Sequence, residues 1–187
     1  VSDWAVKRPR GRPAREVSAL ADHDMLSAAL RLLDTQGVEG FTMRSLAHRL
    51  GVTPMTISHH FGDRDGLIAA MADRVYGAVP EPAEGPPLQR VEALLRSYHA
   101  TVLRHPGLTL LIFRHPTAFP KQARRIAEHL ARLLLATGLG ERRASIWVGI
   151  LVDFTHGAAI AAAMAGCATP ENSSAADFGE ALKELLA

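Results

Sequence analysis

The chain is poor in cysteine, in aromatic side chains and in net charge. Of its 187 residues only Cys167 is a cysteine, so no disulfide forms within it, and a lone thiol fits a reducing cytosol. Aromatics are 5% of the sequence although hydrophobic residues are 48%, which points to helices packed through Ala and Leu. Segments rich in Val, Ile and Thr are few, so the expected fold is all-α. The formal net charge is only +2, so the chain as a whole is no blanket cation. No secretory signal is visible at its start, and no internal repeat. Signatures of catalysis are missing too: there is no G-x-S-x-G, no Gly-rich phosphate loop and no H-E-x-x-H. Nine histidines invite a metal reading, yet His99, His105, His115, His129 and His156 are scattered over different segments without ligand spacing. The sequence therefore predicts no metal, no cofactor and no enzyme, although distant side chains assembled by the fold would escape this test.

What the chain does have is positive charge in one place. Val1 to Arg15 holds Lys7, Arg8, Arg10, Arg12 and Arg15 against Asp3 alone. Residues 1–20 lack periodicity and read as a mobile basic arm. Its Pro9–Pro13 core, P-R-G-R-P, is similar to an AT-hook. An extended Pro/Gly segment is thin enough for a DNA minor groove, and the negative potential of narrow A·T tracts draws Arg10 and Arg12 there. The plainer alternative is a tail touching phosphates without preference.

The most informative stretch is FTMRSLAHRLGVTPMTISHHFGDRDGL, residues 41–67. Thr42 caps a helix with Leu46, Ala47 and Leu50 on one side, and Gly51 ends it. Thr53-Pro54 supplies an N-cap hydroxyl and a ring that pre-sets the first turn of a second helix, closed by Phe61-Gly62. Two short helices joined by a glycine-containing turn form a helix-turn-helix, whose second helix fits a major groove. Upstream, Leu26, Ala29, Leu30 and Leu33 recur at helical spacing up to Gly37; downstream, Leu67, Ile68, Met71 and Val75 mark a fourth helix.

Together AALRLL, the G-V-E-G turn, TMRSLAHRLGV and T-x-x-T-I-x-x-H-F followed by D-R-D-x-L resemble the DNA-binding domain of the TetR family of bacterial one-component regulators, over about Asp22 to Val75. Beyond that stretch the likeness is one of length and helical habit. The resemblance implies a helix-turn-helix domain at 21–78 and a regulatory, ligand-binding and dimerisation domain at 79–187. It implies a homodimer on a palindromic double-stranded DNA operator, most often as a repressor, released by a small and mostly apolar effector. Cytoplasmic location is expected from the lone Cys167 and the absence of a visible signal, and no membrane contact from the polar residues within the long apolar segment of the second half. Carried over by position, Arg44 reaches a base edge, and an arginine fork suits guanine. Pro54, Met55 and Ser58 face the groove floor. Thr42, Thr56, His59, His60 and Arg64 match phosphate-contacting or groove-flanking positions, while Ile57 and Phe61 are core. Ser58 stands where the family commonly has tyrosine, and Arg64 where it usually has lysine, so base preference does not transfer.

The second half reads as Pro-rich connection (Pro80 to Pro87), then helices from Leu88, from Gly107 to Arg114, from Pro120 to Thr137, from Glu141 to Ala165 and from Ser174 to Leu186. Leu88, Val91, Leu94, Leu95, Tyr98 and Val102 share one face. Ile146 to Ala168 is long and apolar enough to span a bilayer, but Asp153 and His156 sit mid-segment and a central Asp costs about 2.5–3.5 kcal/mol. A packed helix, at a dimer interface that its Gly149, Gly157 and Ala161 let approach closely, is the better reading. The last helix would join that interface through Phe178, Leu182, Leu185 and Leu186. Asp153 and His156, three apart, read either as a mutually satisfied pair or as polar points of an effector pocket with Tyr98, His99, Phe113, Phe119, Trp147 and Phe154 as walls. Two other functions remain open from the residues: an architectural chromosome protein on A·T-rich DNA, and a helical enzyme or carrier retaining a relic motif.

Overall fold

The computed structural model describes residues 22–118, 120–166 and 173–187; the basic arm with Arg10 and Arg12, Phe119 and Cys167 lie outside them. All regular structure among the described residues is helical: α1 (Asp22–Gly40), α2 (Met43–Leu50), α3 (Pro54–Phe61), α4 (Arg64–Tyr76), α5 (Pro87–Arg104), α6 (Pro106–Arg114), α7 (Lys121–Ala136), α8 (Glu141–Met164) and α9 (Ser173–Leu186). Local chemistry sets most boundaries. The Thr42 and Thr53 hydroxyls cap α2 and α3, and the Asp63 carboxylate caps α4 by accepting from the Gly66 N–H. Prolines open α3, α5 and α6, where a missing N–H costs nothing.

Two boundaries differ from the sequence reading. Gly37 has φ 69° and ψ −177° and breaks the helical run of α1, but one further turn continues to Gly40 rather than stopping there. Leu88, expected on the buried face of α5, is 43% exposed, because it lies in the first turn, near the open end of the bundle beside α7 and α9.

The apolar core is continuous. It runs from Leu33, Leu46, Ile57 and Leu67 in the first four helices through Val75 and Tyr76 to Leu94, Leu130 and Leu151 in the rest. Each such fully buried side chain contributes about 1.5–3 kcal/mol of transfer free energy. α5 is the hub, packed on α7, α8 and α9, while α6 lies against both α1 and α4 and so bridges head and body. Polar staples reinforce that bridge. Asp65 of α4 accepts from His115 at 2.8 Å and from Thr117, and Asp34 of α1 holds His105 at 3.1 Å. The Asp73 carboxylate caps α7 through the Gln122 N–H at 2.8 Å, and Arg125 donates back to the carbonyls of Tyr76 and Val79. Glu81 is gripped by Arg125 and His129, and the Arg125 guanidinium holds its carboxyl below the usual range.

α8 is the one helix among the described residues long and apolar enough to cross a membrane by length and composition. Ala144, Leu151, Thr155 and Ala159 bury one face in the bundle. Ile146, Gly149, Ile150, Gly157, Ala161 and Met164 lie open on another, with Asp153 in their midst. In α9, Phe178 and Leu182 are buried within the same chain against α5 and α8. The aromatic ring of Phe178 is taken up by His99 and Phe154 within the same chain.

Candidate nucleic-acid interface and ligand cavity

The turn between α2 and α3 is built by capping. The Thr42 Oγ1 accepts from the Ser45 N–H at 3.0 Å while the Ser45 Oγ accepts from the Thr42 N–H at 2.9 Å, a reciprocal box. Gly51 adopts φ 68°, ψ 26°, the left-handed cap that a side chain resists. Thr53 accepts from the Thr56 N–H at 3.3 Å. With Ile57 fully buried and Phe61 half-buried beneath it, α3 is held by one stripe and turns the rest outward. Met55 is 77% exposed, a large apolar side chain in water, and Pro54 and His59 are exposed beside it. Thr56 and Ser58 are half-buried at the margin; Arg44 is exposed on α2 near His48 and Arg49.

Two sequence-predicted residues have partners within the chain. The Nδ1 atom of His60 lies 2.6 Å from an Asp22 carboxylate oxygen, which ties α3 to the start of α1. Arg64 is half-buried; its Nη2 donates to the Phe41 carbonyl at 3.1 Å and its Nε is buried without a partner. Asp22, His48 and Arg49 escaped sequence reasoning. The first needed the tertiary pairing, and the others lie on the outer face of α2 where charge reads as a solvated surface.

A cavity of about 180 Å³ opens among α4 to α8. Four of the sequence-predicted wall residues meet there: Tyr98, Phe113, Asp153 and His156. Tyr76, Thr109, Ile112, Ala123, Ile126 and Val152 complete most of the wall. Three of the predicted residues are elsewhere. His99 is buried in a stack on Phe178 with ring centroids 4.1 Å apart. Phe154 stacks on the other side of the Phe178 ring, and Trp147 faces a cleft with Leu88, Leu134 and Leu139. Tyr76 falls inside the domain assigned to 21–78 from the sequence, and only the packing of α4 on α6 brings it to the cavity.

The polar atoms of the cavity form a relay. The Tyr76 and Thr109 hydroxyls are 3.0 Å apart, and the Tyr98 hydroxyl is 2.6 Å from Nε2 of His156. His156 therefore pairs with Tyr98 across the bundle and not with Asp153, which corrects the mutual-pair reading. Burial pushes both phenols up, so they stay protonated, and it pushes the His156 imidazole down against the pull of the Asp153 carboxylate. A neutral imidazole accepting at Nε2 from Tyr98 leaves Nδ1 as a buried donor, and no partner reaches it. The arrangement offers a mostly apolar space with a few polar atoms, the chemistry that suits a small molecule. Among the described residues no three His, Cys, Asp or Glu side chains are grouped to hold a metal ion.

Comparison with known proteins matches this layout. Residues 25–71, α1 through most of α4, match the family profile "Bacterial regulatory proteins, tetR family". An HTH-type transcriptional regulator of Saccharopolyspora erythraea is 30% identical over 131 residues, 69% of this chain and 55% of the relative, so the match spans about half the relative's length. In solved structures, a BioQ with its natural double-stranded DNA operator superposes with TM-score 0.72 at 21% identity, covering 89% of this chain and 98% of the other. A TetR variant of Acinetobacter baumannii AYE in complex with minocycline gives TM-score 0.71 at 22% identity, covering 89% and 94%. The family motif makes residues 25–71 a domain of the tetR family of bacterial regulatory proteins, and the superposition shows that the chain as a whole has the fold of a solved TetR.

Proposed function

We propose that the chain is a DNA-binding transcriptional regulator, a homodimeric and cytoplasmic repressor released from a palindromic operator by a small, mostly apolar effector. The observation that carries the DNA-binding part is α3, an eight-residue helix pinned by Ile57 and presenting Met55, Pro54 and His59 to solvent beside the exposed Arg44. A BioQ of the same fold has been solved with its double-stranded DNA operator. In this reading Arg44 pairs with a base, Pro54, Met55 and Ser58 lie over the groove floor, and Thr42, Thr56, His59, His60 and Arg64 flank the phosphates, with Arg10 and Arg12 in the adjoining minor groove. The open apolar face of α8 supports dimerisation: Met164 is 83% exposed, and covering that face by a second copy removes the exposed stripe from water. A two-fold axis then sets two reading helices about 34 Å apart and requires an inverted repeat.

The effector cavity touches α4, and α6 and α7 are stapled to α4 by Asp65 and Asp73. A ligand that spreads α6 from α7 would pull on α4 and thereby on α3. Its effect on operator affinity is bounded by its differential affinity for the two head spacings. Selection of bound sequences from a random DNA pool tests the reading. Enrichment of an inverted repeat with half-sites one helical turn apart is expected. An A·T-rich consensus without symmetry, or no enrichment, would refute it.

A further inference from the structure

Within the effector reading just proposed, the chemistry of the cavity defines the ligand more narrowly. Among the described residues its wall holds one charged side chain, Asp153, and neither lysine nor arginine. Among the described residues no hydrogen bond or ion pair holds that carboxylate, and His156, three residues on, is committed to Tyr98. Burial keeps that imidazole neutral, so it does not balance the carboxylate. The rest of the wall is apolar, with Ile112, Ile126 and Val152 beside a cluster of four rings. Tyr76 and Tyr98 meet edge to face at 5.6 Å, Tyr98 and His156 at 5.4 Å, and Phe113 and His156 at 5.2 Å. Ring faces and an unbalanced carboxylate both attract a cation, the first through the ring quadrupole and the second through direct charge. An anionic ligand would sit beside Asp153 with no cation in the described wall to meet it. Asp153 is exposed at the edge of the cavity on the α8 face, so a neutral ligand leaves it hydrated in the single chain, and an unpaired carboxylate becomes costly once a second subunit covers that face.

We propose that the cavity selects a small amphipathic cation, in which an apolar or aromatic body fills the space and one protonated or quaternary amine pairs with Asp153 among the rings. A volume of about 180 Å³ suits about six to ten non-hydrogen atoms, since a 150 Å³ cavity holds benzene.

The test uses the full chain at pH 7.5 and four matched probes: benzylamine, phenyltrimethylammonium, benzyl alcohol and benzoate. Titration calorimetry gives affinity, and each probe is also scored for its effect on DNA binding. Benzylamine should bind about tenfold or more tighter than the alcohol, as expected for a hydrogen bond to a charged group; the quaternary ammonium, which has no N–H and is held by charge and the rings alone, should also bind tighter than the alcohol, and benzoate should bind weakest. Asp153→Asn should bring the amine-to-alcohol ratio close to one, and Asp153→Glu should restore it. Circular dichroism verifies that both variants fold. Equal affinity for amine and alcohol, preference for benzoate, or a ratio unmoved by Asp153→Asn would overturn the cation assignment. If the alcohol or benzoate then bound and shifted DNA affinity, the effector reading would survive alone. Absence of binding by all four probes would overturn both.

Discussion

Replacing Gly66 by alanine is the sharpest probe of how α3 is held. Gly66 sits in the first turn of α4, its N–H donating to the Asp63 carboxylate at 2.8 Å. A Cβ added there would lie 2.0 Å from the Phe61 carbonyl oxygen, where real Cβ atoms essentially never come within 3.0 Å. The obstacle is backbone at the end of α3, so no rotamer change relieves it. The carbonyl must recede by about 1 Å, comparable to the shifts that overpacked cores force at about 1–3 kcal/mol. We expect Gly66→Ala to lose about 2–3 kcal/mol of unfolding free energy, read from urea denaturation followed at the helical circular dichroism band. Because the displaced element carries Pro54 to His59, DNA affinity should fall about tenfold or more even below the unfolding range. Gly149→Ala is the companion, since nothing lies within 4 Å of its Cβ position. Unfolding of Gly66→Ala within about 0.5 kcal/mol of the parent protein, the usual range for neutral surface changes, would refute the reasoning.

Other perturbations separate further roles. Arg44→Ala should cost about 1–3 kcal/mol of operator binding and relax preference at one base pair, whereas Arg64→Ala should weaken all sequences and flatten the salt dependence by about one unit in a titration series. Because Arg64 also bonds the Phe41 carbonyl, that variant should in addition lower the melting temperature. Burial depresses His99, His129 and His156 below their usual 6.5. The unfolded chain then binds more protons below that pH, so stability is intact above it and falls as acid takes the pH from 6.5 towards the depressed folded values, by at most about 1.4 kcal/mol per histidine at pH 5.5. Urea titrations at pH 7.5 and 5.5 check this, and His99→Gln should shrink the difference. Gly149→Ala with Gly157→Ala should raise helix stability by up to about 1 kcal/mol each but loosen a dimer packed on that face. Unchanged dimer dissociation in sedimentation equilibrium would count against α8 as the interface.

The head was legible because its signals are local. Thr42, Gly51, Thr53 and Pro54 each act within four residues, through caps and a left-handed turn, and the structure carries all of them. The helices of the second half were equally readable, since His105-Pro106, Pro120 and Gly138 interrupt apolar periodicity. Side-chain destinations were not. His99, Phe154 and Trp147 share helices with true cavity residues and have the same composition, yet a rotation of about 100° per residue sends them elsewhere. His156 offered Asp153 three residues away and took Tyr98, fifty-eight residues away, instead. Such choices depend on which helix arrives opposite, and a single sequence carries no record of that.

The grip of Asp73 and Arg125 between α4 and α7 makes the Pro-rich connection mechanically redundant. Glu84 and Gly85 are exposed in it, and cleavage of the peptide bond between them would leave both fragments locked by a shared core and by these bonds. A denaturing gel would then resolve two bands from material that still elutes as one particle.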